Sequence, residues 1–203
     1  MRIVPIIAVL ISVSAFATGQ TFYGTADLTV FRDGRDKEFR TKTESPLKDE
    51  DFEKFEGLRY FRTDDAFCVT AKLSRTRNER PFQMPTSSGI SKRFVKYGVL
   101  RFSIMNRFYS LNVFRADAES RKRHPEYADL LFIPFRDETS GKETYGGGRY
   151  LDVRLPKGDR VTLDFNLAYN PDCAYGNDKY ACPIPPKENF LTIRITAGEL
   201  SYK

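Results

Sequence analysis

A mainly β, antiparallel fold, either a barrel or a sandwich fronted by two short N-terminal helices, is what three features of this sequence predict. Apolar residues alternate with polar ones at a period of two along most of the chain after Leu58. The 203 residues include 17 Phe and 11 Tyr but no Trp, an aromatic content suited to pleated, half-buried surfaces. Helical periodicity does not recur between the later strands, which argues against a parallel α/β sheet. The length suits one domain, 18–203, and 40% hydrophobic with 30% charged residues is a globular rather than a disordered composition.

The first seventeen residues are set apart from that domain. Arg2, the apolar run Ile3 to Ile11 extended through Val13 and Phe16, and the small-residue pattern Ala15-Phe16-Ala17 form a secretory signal peptide pattern with cleavage after Ala17. The run is shorter than the roughly 18 apolar residues a span needs, and Pro5 interrupts it. An exported chain, periplasmic or secreted, with no transmembrane span after cleavage is therefore expected. Its net charge of +6 becomes +5 on loss of Arg2. The basic clusters RTRNER at Arg75 to Arg80 and RKRH at Arg121 to His124 lack the interleaved aromatics of a single-strand platform, so they read as solvated loops, and no nucleic-acid partner is expected.

Leu28, Phe31 and Phe39 have helical spacing over Thr25 to Phe39. A second helix is marked by Ser45 as cap, Pro46 at its first position, Asp49, Glu50 and Asp51 in its first turn and Gly57 at its close, with Phe52 and Phe55 as core anchors. Strands follow, with Phe67, Val69 and Ala71, then Leu100, Phe102 and Ile104, then Tyr109, Leu111 and Val113 inward, the last two joined at Asn106-Arg107. Leu130 to Phe135 is apolar throughout and should be buried on both faces. Leu151, Val153 and Leu155 precede Val161, Leu163 and Phe165, and a hairpin pairing Leu151 with Phe165 and Val153 with Leu163 matches their apolar faces. That register sets Asp152 opposite Asp164, a repulsive pair in need of compensation. Phe190 to Thr196 completes the set, with Leu191, Ile193 and Ile195 inward.

Candidate functional residues concentrate between Phe132 and Glu199. Cys173 and Cys182, nine positions apart in an exported chain, are expected to form a disulfide stapling the C-terminal loop, worth about 2.7 kcal/mol in the loop-entropy model. Cys68 is left as a partly buried thiol. With His124 as the sole histidine, a Cys/His zinc site lacks ligands, and neither metal nor cofactor is expected. Gly146 to Arg149 has the composition of an anion-holding backbone nest, or of a flexible strand entry. Serine catalysis is disfavoured, since no G-x-S-x-G occurs and the triad would need His124. Acid–base chemistry falls to carboxylates, with Asp164 and Glu188 as the catalytic candidates. The ligand-binding candidates are Asp137, Tyr145, Arg149, Asn166, Tyr169, Asn170 and Asn189. Arg149, Asn166, Asn170 and Glu188 are expected to converge on one concavity, with Arg149 in salt-bridge reach of Glu188 or Asp164. Two functions compete: binding of a small anionic or hydroxyl-rich ligand or envelope polymer around Arg149, and carboxylate-dependent hydrolysis of an envelope glycan or ester.

The segments FIPFRDETSGKETYGGGRYLD, LDFNLAYNPDCAYG, ACPIPPKENFL and ITAGE closely resemble the signature of the bacterial domain of unknown function 1684 family. SPLKDEDFEKFEGLRYF and the TSSG at Thr86 to Gly89 fit it more loosely. The resemblance implies that Asp137, Thr144, Tyr145, Gly148, Arg149, Tyr150, Asp164, Asn166, Tyr169, Asn170, Pro171, Cys173, Cys182, Glu188 and Asn189 carry the family pattern. It implies no activity, and the stretch from Arg115 to Tyr127, which includes His124, lies outside its motifs.

Overall fold

The computed structural model describes residues 25–203, so the signal peptide expected at 1–17 lies outside the described residues. An α-helix, α1, spans Thr25–Arg40, and a single turn, α2, spans Asp49–Phe52. Regular helix is absent from the rest of the Ser45–Gly57 stretch: Ser45 Oγ accepts the Leu47 N–H at 3.3 Å, and Lys48 rather than Ser45 is the N-cap. Phe39 from α1, Leu47, Phe55 and Tyr175 form a small buried cluster, with Phe39 edge-on to Tyr175 at 4.6 Å.

The strands are β1 Cys68–Arg75, β2 Phe82–Pro85, β3 Ser91–Ile104, β4 Arg107–Ala116, β5 Leu130–Asp137, β6 Arg149–Arg154, β7 Arg160–Asp164 and β8 Phe190–Leu191, with the short helix α3, Ala118–Arg123, after β4. They form one sheet in the order β6-β5-β4-β3-β1-β7, with β2 added to β3 and β8 to β5. All pairings are antiparallel except β5 with β8. The sheet curls into an open half-barrel. Chain length alone requires curvature: the connection from Arg154 to Arg160 spans at most about 21 Å, yet it joins opposite ends of a six-strand path that would be about 24 Å wide if flat.

The expected β6–β7 hairpin is therefore corrected. Leu151 pairs with Ile133 and Val153 with Leu131 on β5, whereas Leu163 pairs with Val69 and Asp164 with Cys68 on β1. Asp152 faces Phe132, not Asp164, and the expected carboxylate repulsion does not arise. Alternation specifies which face a residue occupies, and β1 and β5 offer inward patterns as compatible as those of β6 and β7.

The expected inward faces form the concave core, which includes Phe67, Ala71, Leu100, Phe102, Ile104, Leu111 and Val113. The β3–β4 turn falls on Met105-Asn106, one residue before the expected position, with φ of 48° and 61°. Only Phe190–Leu191 of the expected last strand is regular, yet Leu191 and Ile195 remain buried in the core. Leu130–Asp137 is a strand as expected, but the run is not fully buried on both faces: Leu131, Ile133 and Phe135 enter the core, while on the outer face Pro134 is buried and Leu130 and Phe132 are half-buried beside an open cleft.

Candidate functional site

The polar residues singled out in the sequence are largely committed to internal contacts. Arg149, at the start of β6, is fully buried, and its Nη2 meets Asp137 Oδ2 at 2.9 Å. The same Nη2 donates to the Ile195 carbonyl at 2.9 Å, and Nη1 donates to the carbonyls of Ala197 and Glu199. Asp137 Oδ1 accepts the Thr139 N–H at 2.7 Å, the Thr139 hydroxyl at 2.6 Å and the Ile195 N–H at 3.3 Å. Burial pulls the Arg149 pKa down and Asp137 pulls it back up. The expected partnership of Arg149 with Glu188 or Asp164 is thus corrected, since its carboxylate partner is Asp137. Within the glycine run, the Gly148 N–H donates to the Tyr145 carbonyl at 3.0 Å and so does not face an anion. Gly148, at φ 95°, is needed for close approach, because a Cβ there would lie 2.6 Å from the Phe135 carbonyl oxygen.

Three asparagines clamp remote backbone, because a side-chain amide offers the donor and acceptor of a peptide unit. Asn166 receives the Asp64 N–H and donates to the Asp64 carbonyl, both at 3.0 Å. Asn189 does the same with Asn112, at 2.8 and 2.9 Å, and also donates to the Pro134 carbonyl, tying β4 to β5. Asn170 donates to Glu199 Oε1 at 3.0 Å and to the Leu200 carbonyl at 2.8 Å. Asp164 Oδ1 accepts the Asn166 N–H at 2.9 Å, capping a 3₁₀ turn, and Glu188 is exposed. Arg149, Asn166, Asn170 and Glu188 line neither of the two cavities described below, and nor does Asp164.

The disulfide expectation is also corrected: Cys173 and Cys182 are both free thiols, as is Cys68. The Cys173 N–H points to Cys182 Sγ at 3.1 Å. Hydrogen bonding with Cys182 and, to a smaller extent, with Ser87 and Tyr145 brings the Cys173 pKa down to about 6 against the opposing effect of burial. Spacing across a loop shows that two cysteines can meet, not that they bond. The loop is held instead by Tyr150, whose hydroxyl donates to the Pro183 carbonyl at 2.6 Å, and by the Ser87 and Ile184 N–H groups, each 2.9 Å from the carbonyls of Cys182 and Pro85.

The open concavity lies on the outer face of β3 to β6. A cleft of about 710 Å³ is lined by residues of these strands, α3, the Tyr127 turn and the 171–183 loop. Its floor is aromatic: Phe94 stacks on Phe132 at 5.4 Å, Phe132 meets Tyr150 edge-on at 4.7 Å, and Tyr150 meets Tyr169 edge-on at 5.8 Å. Asp152, beside Tyr150 on β6, accepts the Tyr169 hydroxyl at 2.6 Å. Burial raises the pKa of Asp152, and burial likewise raises that of Asp172 across the cleft. At the rim, Arg93 pairs with Asp117 at 3.2 Å and Arg123 with Glu119 at 4.0 Å, whereas Lys92, which also lines the cleft, forms no ion pair among the described residues. A second cavity of about 410 Å³, lined by Phe31, Val153 and Leu167 among others, adjoins it and shares Tyr127, Leu130, Asp152 and Tyr169 with the first.

Tyr169 is the sole ligand-binding candidate from the sequence that lines either cavity; Asp137, Tyr145, Arg149, Asn166, Asn170 and Asn189 do not. His124, set aside on sequence grounds, sits at the rim with its Nδ1 3.2 Å from Glu126. Phe94, Tyr127, Asp172 and Tyr180 were missed. Their only sequence signal was aromatic or acidic character at outward positions, and they come from elements far apart in the chain. Among the described residues no group of three or more His, Cys, Asp or Glu side chains is placed to hold a metal ion.

Fold and groove together define a curled antiparallel half-barrel whose sheet is used on both faces, the concave one for the core and the outer one for an aromatic, carboxylate-bearing cleft. Residues 53–200 match the family model "Protein of unknown function (DUF1684)", and the chain belongs to that family. It is similar to an uncharacterised protein of Haloarcula marismortui solved by solution NMR, at 37% identity over 86% of this chain and 92% of that one, with a TM-score of 0.66. No curated protein matches.

Two predictions follow from the two polar centres. Arg149→Met leaves Asp137 buried and unpaired and should cost about 3–5 kcal/mol in chemical denaturation, while adding Asp137→Leu should recover part of that loss. For Asp152 the folded pKa is raised, so stability is full below the unfolded Asp value of 3.8 and falls as pH rises through the folded value. Asp152→Asn removes that fall. Its melting temperature relative to the parent should therefore climb as pH rises from about 4 toward neutrality.

Proposed function

We propose that this is an exported protein that binds a small, hydroxyl-rich ligand, such as a glycoside or an envelope glycan fragment, in the outer-face groove. The observation that carries the reading is the juxtaposition of Asp152, hydrogen-bonded to Tyr169, with the ring row Phe94, Phe132, Tyr150 and Tyr169. Flat aromatic faces pack against the C–H faces of a sugar ring, and a carboxylate in a poorly hydrated cleft accepts hydroxyl protons strongly. An anionic ligand is less well served, because Arg93 and Arg123 are already paired, Lys92 faces Asp172, and Asp152 and Asp172 would repel it. The Arg2, Ile3 to Ile11 and Ala15-Phe16-Ala17 pattern supports export.

A hydrolase reading rests on the same cleft, favoured by one observation: two carboxylates with raised pKa values, Asp152 and Asp172, line it. Calorimetric titration with cellobiose, chitobiose and methyl glycosides tests the binding reading. Asp152→Asn should weaken binding by about tenfold or more, the worth of a hydrogen bond to a charged group, with the melting transition retained. Binding unaffected by Asp152→Asn would contradict the assignment. Release of 4-nitrophenol from aryl glycosides or esters, abolished by the same substitution, would move the protein to the hydrolase class.

A further inference from the structure

On the other half of the sheet the outer face carries a row of cations. Lys72 of β1 lies in register between Arg160 of β7 and Arg101 of β3. All three are exposed, and among the described residues none forms an ion pair, although Arg101 Nη1 reaches Ser74 Oγ at 2.9 Å. Like charges opposite one another in a ladder repel, so the row weakens the sheet that carries it. Beside it, the β3–β4 hairpin exposes apolar side chains. Phe108 is opposite Ser103 and diagonal to Arg101 on the same face, and it is 90% exposed. Met105 is 64% exposed at a turn position with φ 48°, where Asn, Asp or Gly would be unstrained.

We propose that this hairpin tip and cation row dock on an anionic phospholipid bilayer. Phe108 and Met105 enter the boundary between headgroups and acyl chains, and Arg101, Lys72 and Arg160 meet the lipid phosphates. Both features face one plane, because Phe108 and Arg101 share a face of the sheet. A lipid surface fits better than a single-stranded nucleic acid, since the aromatic stands at the extreme end of the hairpin next to a methionine and no second ring continues a stacking platform along the row. Apolar insertion plus nearby basic charge is the combination that holds peripheral proteins at such membranes.

The chain has no tryptophan, so Phe108→Trp in the full chain creates a single reporter at the tip. That reporter also separates the tip from the apolar run Ile3 to Ile11, which has its own affinity for lipid. With phosphatidylcholine vesicles containing about 30% phosphatidylglycerol, its emission should shift to the blue and be quenched by brominated acyl chains. Pure phosphatidylcholine should give little shift, and about 0.5 M salt should reverse it. In the reporter chain, Lys72→Gln should weaken association about fivefold. With Met105→Trp as the tip reporter instead, Phe108→Ser should weaken it about tenfold or more. Both substitutions are at exposed positions, and unchanged circular dichroism would show that the fold is intact. Unshifted emission with the anionic vesicles overturns the proposal, as does a Phe108→Ser variant that binds them undiminished. Displacement of the vesicles by a tighter-binding single-stranded oligonucleotide overturns the lipid assignment in favour of a polyanion.

Discussion

The ion pair between Arg149 and Asp137 sits where the paired ends of β5 and β6 meet the irregular C-terminal segment. Asp137 ends β5 and Arg149 begins β6, so their contact closes the excursion between them. The guanidinium then collects the carbonyls of Ile195, Ala197 and Glu199, and the carboxylate takes the Ile195 N–H. The C-terminal segment beyond β8 is irregular, and buried backbone groups there need partners. One arginine supplies several donors in a fixed planar geometry, which suits this task better than a single-point lysine would. Removing either charge alone leaves the other stranded in a dry interior, so the pair is worth more as a constraint than as a net source of stability.

Other polar groups repeat that logic at smaller scale. Asn189 stands between β4 and β5, where direct ladder pairing is reduced to Phe114 with Phe132, and bonds both the Asn112 backbone and the Pro134 carbonyl. Asn166 ties the turn after β7 to Asp64 ahead of β1, and Asn170 ties the following loop to Glu199 and Leu200. Burial raises the Glu199 pKa, while Arg35, Tyr175 and Asn170 hold its charge in place. These clamps let the concave side of an open half-barrel be filled by one core. The outer side is then free to present an aromatic groove at one half and a basic surface at the other.

Strand faces were legible because alternation follows from the pleat: Leu100, Phe102, Ile104, Leu111 and Val113 point inward as their spacing requires. Partners were not legible. Leu151 and Leu163 satisfy the same inward rule on strands at opposite ends of the sheet, and only the complete topology separates them. The apolar run Leu130 to Phe135 revealed a strand, but not that Phe132 would meet Phe94 and Tyr150 in an open cleft. Arg149 and the three asparagines stood out as a site because polar residues among glycines and prolines accompany both binding loops and buried clamps. Burial separates those two roles, and burial depends on packing that residue type does not disclose. The paired cysteines failed for a related reason, since proximity in sequence allowed a contact without deciding its chemistry.

The Arg149–Asp137 centre is scaffold, and the Asp152–Tyr169 groove is the proposed ligand site. Amide chemical-shift mapping during titration with a bound glycoside tests this division most directly, because it locates contact without altering the protein. The account predicts perturbations centred on Phe132, Asp152, Tyr169 and the Tyr127 turn, with Asp137, Arg149 and Ile195 silent. Perturbations centred on Arg149 and the 195–199 segment, with the groove unaffected, would contradict it.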